Sequence, residues 1–161
     1  MSALVNFARL PHGKGLPLPA YESAGAAGID LRAAQVCSRD LSLRSSFNLD
    51  ALYPGEIKVF STGFAVAIAD GFEGQVRGRS SLAMKGLSVV HGVGTIDSDY
   101  RGEVFVFLVN HGSTRVGISQ GERIAQLVVS QVARAVIAEV TAERMTTTER
   151  GANGFGSTGV R

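Results

Sequence analysis

The sequence predicts an all-β protein, a sandwich or barrel of short strands, and three observations carry that reading. Its apolar stretches are numerous and short. Turn-forming clusters fall between nearly all of them, as in Tyr53-Pro54-Gly55, Asp70-Gly71, His111-Gly112-Ser113 and Gln120-Gly121-Glu122. Helix signals are confined to one short segment and one ambiguous stretch, so alternating strand–helix units are not expected. With 161 residues, 45% hydrophobic and 19% charged, the chain is long enough for one core and short for two.

The elements follow in order. Strands are expected at residues 4–10, 29–33, 41–49, 57–61, 64–69, 75–79 and 87–91, each rich in β-branched or aromatic residues and bounded by turn formers. The expected helix is a single turn. Ser80 and Ser81 are N-cap types ahead of Leu82-Ala83-Met84-Lys85, and Gly86 closes it. Next comes an expected tight hairpin. Gly94-Thr95-Ile96 leads in, Asp97-Ser98-Asp99-Tyr100-Arg101-Gly102 turns, and residues 103–109 return. Strands at 114–118 and 123–130 follow. Residues 131–145 place Val132, Val136, Ile137 and Val140 so that a helical stripe and a strand fit equally well. The final stretch from Arg150 is Gly-rich and too poor in apolar residues to order itself, which divides the chain into a β domain at 1–149 and a tail at 150–161.

Composition narrows the function classes. Net charge is +2 with scattered basic residues, so no stripe for a nucleic-acid duplex is present. No apolar run approaches the length of a membrane span. The first residues lack the layout of a signal peptide, and Cys37 stands alone, which excludes an internal disulfide and points to a reducing compartment. A cytoplasmic protein is expected. The three histidines, with a single cysteine, lack zinc spacing.

Several constellations carry possible chemistry. Asp97 and Asp99, two apart at a bend beside Tyr100, could hold a water and accept its proton, or could simply bond turn backbone. Arg79, Ser80 and Ser81 at a helix start suit an anion, or form an ordinary capped helix. Asp30 sits between apolar residues on a strand and needs a partner: a salt bridge, or a water on a hard cation. In the tail, Gly-rich backbone makes anion nests. Ser157 and Thr158 donate hydroxyls, Arg150 brings fixed charge, and Phe155 suits stacking on a base.

Five separated stretches resemble, in the same order, the trimeric dUTPase (dUTP diphosphatase) family. They are Ala27-Gly28-Ile29-Asp30-Leu31, Gly78-Arg79-Ser80-Ser81-Leu82-Ala83, Gly94 to Gly102, Gly121-Glu122-Arg123-Ile124-Ala125-Gln126-Leu127-Val128 and Arg150 to Gly159. The resemblance implies a distorted jelly roll of antiparallel strands, assembled as a homotrimer with active sites at subunit interfaces. It also implies strand exchange, so that residues 131–140 read as a strand. The implied reaction is magnesium-assisted hydrolysis of dUTP to dUMP and pyrophosphate, supplying dUMP for thymidylate synthesis and keeping uracil out of DNA. Asp97 would be the general base and Asp30 would hold the Mg2+ through water. Arg79, Ser80, Ser81 and Gln126 would contact phosphate. Tyr100 would exclude a 2′-hydroxyl. The backbone from His91 through Gly94, Thr95 and Ile96 would read uracil. Phe155, Arg150, Gly156, Ser157 and Thr158 would close over the nucleotide from another subunit.

Four positions depart from what the family commonly shows: His91 stands for Asn, Val93 for Pro, Phe105 for a long polar side chain and Asn153 for Gly. Two other readings remain at this stage. The sister dCTP deaminases share the Arg-Ser-Ser element but carry a Trp, absent here, and a catalytic Glu where Asn110 stands. A non-catalytic binding module on the same fold is the second.

Overall fold

A computed structural model describes residues 2–37 and 49–153. Among these residues lie eleven strands and one short helix. A five-stranded antiparallel sheet is built around β5 (Ile57–Ile68). Along one side of β5, β1 (Val5–Arg9) pairs with Phe64 to Ile68, and β3 (Gln35–Cys37) pairs with Val59 to Ser61. On the other side lies β9 (Glu103–Asn110), flanked in turn by β7 (Leu87–Val89). A four-stranded sheet runs β2 (Ile29–Arg32), β11 (Arg123–Gln131), β6 (Phe72–Arg77) and β8 (Val93–Ile96), in that order. The strands β4 (Leu49–Leu52) and β10 (Val116–Ser119) form a separate pair. All pairings are antiparallel, as expected for the jelly-roll class.

The core forms because strand alternation sends one row of side chains inward. In β9, Val104, Val106, Leu108 and Asn110 are buried while the intervening residues are half-exposed. Phe60, Leu31, Leu52, Ile118, Ile124 and Leu127 are fully enclosed, each stabilising by about 1.5–3 kcal/mol as an upper bound. Asn110 is the polar member of that row, and it is fully matched. Its Nδ2 donates to Leu52 O (2.9 Å) and Thr114 O (2.8 Å), and its Oδ1 accepts from Gly112 N–H (2.9 Å).

Several sequence expectations are corrected. The strands expected at 57–61 and 64–69 are one strand, bulged between Ser61 and Ala65. Gly63 adopts φ +75° there, a conformation open to glycine. The strand expected at 41–49 lies outside the described residues except for its last residue, which begins β4. The hairpin expected across Gly94 to Val109 does not form. Both its strands exist, but β8 pairs with β6, while β9 pairs with β5 and, at Leu108 to Asn110, with β7. Residues 97–102 therefore cross from one sheet to the other. In the helix α1 (Ser80–Ala83), Arg79 is the N-cap and no side chain caps it, so neither serine plays that role. Finally, residues 135–140 form no strand within the chain. Beyond β11, Val136 and Ile137 stand 97% and 94% exposed, with no sheet partner to fix them. No helix among the described residues is long and apolar enough to cross a membrane.

Candidate active site

The crossing of residues 97–102 opens a cleft of about 500 Å³ between the two sheets. One wall is β8, contributing Val93, Gly94, Thr95 and Ile96. This strand is the edge of its sheet, so its outer backbone N–H and C=O groups have no strand partner among the described residues. The floor is the half-exposed row of β9, Glu103, Phe105 and Phe107. His91 leans on Phe107 edge-to-face, with ring centroids 5.5 Å apart, and also lines the cleft. Gly94 makes room for that imidazole, since a Cβ there would fall 3.1 Å from His91 Cε1.

Asp97 and Tyr100 complete the mouth. The expected turn is present, with Tyr100 N–H donating to Asp97 O at 3.1 Å. Arg101 holds it by donating to Ser98 O (2.6 Å) and Tyr100 O (2.7 Å). Of the two turn carboxylates, only Asp97 lines the cleft; Asp99 lines a smaller hollow beside Arg134, which Asp97 also borders. Asp97 is exposed. Among the described residues no hydrogen bond or ion pair occupies its carboxylate. The Tyr100 hydroxyl donates to Glu103 O at 2.8 Å. The ring lies across Gly102, where a Cβ would fall 2.6 Å from Tyr100 Cζ, which gives the Tyr-Arg-Gly order a steric reason. Partial burial, and then the negative charge of Glu103, push the Tyr100 phenol above its ordinary value.

A second cluster forms around Asp30, which is 4% exposed. Its Oδ1 accepts from Gln126 Nε2 (3.1 Å) and faces Arg79 Nε (3.4 Å), while Oδ2 pairs with Arg123 Nη1 (3.0 Å). Register explains the first contact, because Gln126 lies directly opposite Asp30 across β11 and β2. Arg79 also donates Nη1 to Arg123 O (2.9 Å), leaving its other terminal nitrogen uncommitted among the described residues. Ser80 and Ser81 are exposed beside it on α1. Arg123 reaches Glu22 (3.4 Å), which in turn holds Arg32 (3.3 Å). Asp30 forms the salt bridge that the sequence allowed for it. Both oxygens are engaged by cationic or amide donors, and no group of three His, Cys, Asp or Glu residues suited to a metal occurs among the described residues.

The structure thus gathers His91, Gly94, Thr95, Ile96, Asp97 and Tyr100 in one cleft and Asp30, Arg79 and Gln126 in another cluster, none of whose members lines that cleft. Arg150 joins neither; it is exposed and donates to Asn153 O at 3.0 Å. Phe155, Gly156, Ser157 and Thr158 lie outside the described residues. Sequence reading did not single out Arg123, Glu22, Glu103 or Phe107. Their signals were weak, because cross-strand register and inter-sheet packing bring them to these places. Asn110, whose three polar contacts all serve backbone groups, has no capacity left for a deaminase-type role.

Comparison with known proteins adds to this geometry. The family profile described as dUTPase matches residues 14–159. The deoxyuridine 5′-triphosphate nucleotidohydrolase of Methylocella silvestris is 50% identical over 156 residues, covering 96% of this chain and 91% of that protein. That of Rhizobium meliloti is 51% identical over 154 residues, covering 95% and 89%. Among solved structures, a variant of the Staphylococcus bacteriophage 80alpha dUTPase with dUpNHpp superposes with a TM-score of 0.79 at 25% identity, covering 98% of this chain and 99% of that one. A dUTPase of phage phi11 of S. aureus, described with a structural Mg(II) ion, gives 0.70 at 20% identity, covering 85% and 96%.

Proposed function

The chain belongs to the dUTPase family, and from that premise we propose that it hydrolyses dUTP to dUMP and pyrophosphate, with the β8–β9 cleft as the nucleoside site. The observation that carries the reading is Asp97. It stands where an edge strand with open backbone ends, inside the cleft, with its carboxylate free. Uracil presents one N–H and two C=O groups on its edge, and the open backbone of Gly94, Thr95 and Ile96 offers complementary groups. Asp97 takes a proton from a water as that water's oxygen bonds the α-phosphorus. The bond from the α-phosphorus to the bridging oxygen breaks, and pyrophosphate leaves with its electrons. A positioned base of this kind contributes roughly 10²–10⁴-fold. Tyr100 packs against the sugar and leaves no room for a 2′-hydroxyl.

Phosphate binding falls to the other cluster. Asp30 aims Arg79, whose free nitrogen, with Ser80 and Ser81, faces the triphosphate of a neighbouring subunit's cleft. Gln126 joins them through the second N–H of its amide, the first being given to Asp30. The protein is proposed to be a homotrimer, which explains why the two groups are apart within one chain. The exposed apolar residues of 132–140 pair with an adjacent copy, and the tail from Arg150, with Phe155, Gly156, Ser157 and Thr158, closes over the nucleotide. Magnesium would come bound to dUTP and would supply neutralisation of the phosphate charge. The donor set around Asp30 does not fit a resident ion, and a metal-bound water reaching Asp30 has to displace Gln126 or an arginine.

The test is pyrophosphate release from dUTP, dTTP, dCTP and UTP in parallel, with magnesium and then with EDTA. Release from dUTP alone, weakened by EDTA, is expected, and Asp97→Asn should cut kcat by roughly 10²–10⁴-fold with analogue binding retained. Near-normal turnover in that variant would mean another base. Silence with all four nucleotides would favour the binding-module reading.

A further inference from the structure

Glu103 is used twice at the root of the cleft. Its backbone carbonyl accepts the Tyr100 hydroxyl at 2.8 Å. Its side chain, 9% exposed, is enclosed beside the β5 bulge and the turn that carries His12. There Oε1 accepts the N–H of Gly63 at 2.6 Å and lies 2.8 Å from Nε2 of His12, itself 13% exposed. Neither Glu103 nor His12 has a part in the reaction above.

The surroundings make this a brace rather than a chance contact. Gly63 is the left-handed residue of the β5 bulge. The 3-10 turn Pro11–Gly13, which carries His12, is pressed against it, since a Cβ on Gly13 would fall 2.9 Å from Gly63 C. Leu10 N–H donates to Gly63 O (2.9 Å), and the buried Thr62 hydroxyl donates to Val104 O (2.8 Å). Two chain segments thus converge on the first peptide units of β9. The carboxylate fixes the Glu103 backbone, and that backbone's carbonyl is the only hydrogen-bond acceptor of the Tyr100 phenol among the described residues.

We infer that Glu103, held by Gly63 and His12, is a positioning residue that fixes Tyr100 and so sets how strictly the site refuses a 2′-hydroxyl. This rests on the dUTP-hydrolysing reading, in which Tyr100 lies against the sugar. Refusing one added oxygen by contact requires a wall that does not yield. Tyr100 is 40% exposed, so packing alone does not hold it. Without the Glu103 carboxylate, the Gly63 N–H and His12 lose their acceptor, the first peptide of β9 gains rotational freedom, and the phenol moves with it.

The experiment compares kcat and KM for dUTP and UTP in the unaltered enzyme and in Glu103→Ala, Glu103→Gln and His12→Ala. In Glu103→Ala, the preference for dUTP over UTP should fall by roughly tenfold, the scale of one misplaced contact, chiefly through a lower KM for UTP. His12→Ala should move the ratio in the same direction by about threefold, since one of two ties remains. Glu103→Gln should restore it, because an amide oxygen accepts from both Gly63 N–H and a neutral imidazole N–H. An unchanged ratio in folded Glu103→Ala, or equal losses on both nucleotides, overturns the inference. If that variant does not fold, an unchanged ratio in His12→Ala overturns it.

An ultraviolet titration of the Tyr100 phenol, read against Tyr100→Phe, separates this inference from the assignment of activity. Loss of Glu103 should bring that titration down further in Glu103→Ala than in Glu103→Gln, which removes the charge but keeps the brace, even if the unaltered protein does not act on dUTP, in which case only the functional reading fails. Equal titrations in Glu103→Ala and Glu103→Gln count against the brace itself.

Discussion

At the scale of single residues, Tyr100 shows how local packing tunes a functional group. Its phenol titrates above the ordinary value of 10.0, first because the ring is partly buried and then because Glu103 is nearby. The phenol therefore remains a neutral donor to Glu103 O across the whole physiological range. The sign follows from linkage: stability from the protonated form is fully present below pH 10 and is lost as pH rises through the higher folded value. A pH series of chemical denaturation should show that alkaline loss, and Tyr100→Phe should reduce it. A Tyr100 titration at or below 10 would refute the account. Asp30 is a buried carboxylate whose oxygens meet two guanidiniums and an amide. Taking away one partner of such a pair is costly, since the charge left behind has no solvent.

At the scale of elements, the glycines next to functional residues act as spacers. Gly28, two residues before Asp30, lies under Gln126, and a Cβ there would fall 2.9 Å from Gln126 Cβ and 3.2 Å from its Cδ. That closeness lets β11 and β2 approach until Gln126 reaches the Asp30 carboxylate. Gly28→Ala should therefore destabilise by about 1–3 kcal/mol through overpacking, read from a denaturant midpoint, and should weaken triphosphate binding. Equal stability and affinity in the variant would mean that β11 shifts freely. The bulge at Gly63 works in the same way: the extra residues it admits to β5 carry the amide that meets Glu103. Both features place backbone where a side chain must find it.

At the scale of the whole molecule, one chain presents an incomplete site. The nucleoside cleft and the Arg79 cluster share no lining residue, and the segment after β11 exposes Val132, Val136, Ile137 and Val140. Apolar residues displayed this way mark an interaction surface. The proposed trimer satisfies both observations. Removing residues 132–161 should convert a trimer to a monomer in sedimentation or light scattering, with turnover lost and the β core still folded. A truncated chain that remains trimeric would place the assembly contacts on the sheets instead.

The sequence by itself determined the strand class, most strand positions, the turn at Asp97 to Tyr100 and, through five ordered stretches, the family. These depend on local matters: side-chain alternation, turn formers and residue types, all written in neighbouring positions. The missing helix caps at Ser80 and Ser81, the merged β5 and the absent hairpin were not legible, because each was decided by what lay alongside. β8 and β9 look like hairpin partners in sequence, yet each finds its hydrogen bonds elsewhere, and their separation is what opens the cleft. Only the tertiary structure brought His12 and Gly63 to Glu103 and Arg123 to Asp30. Those contacts span 40 to 93 positions, a distance over which no local pattern carries information and only the packing of sheets does.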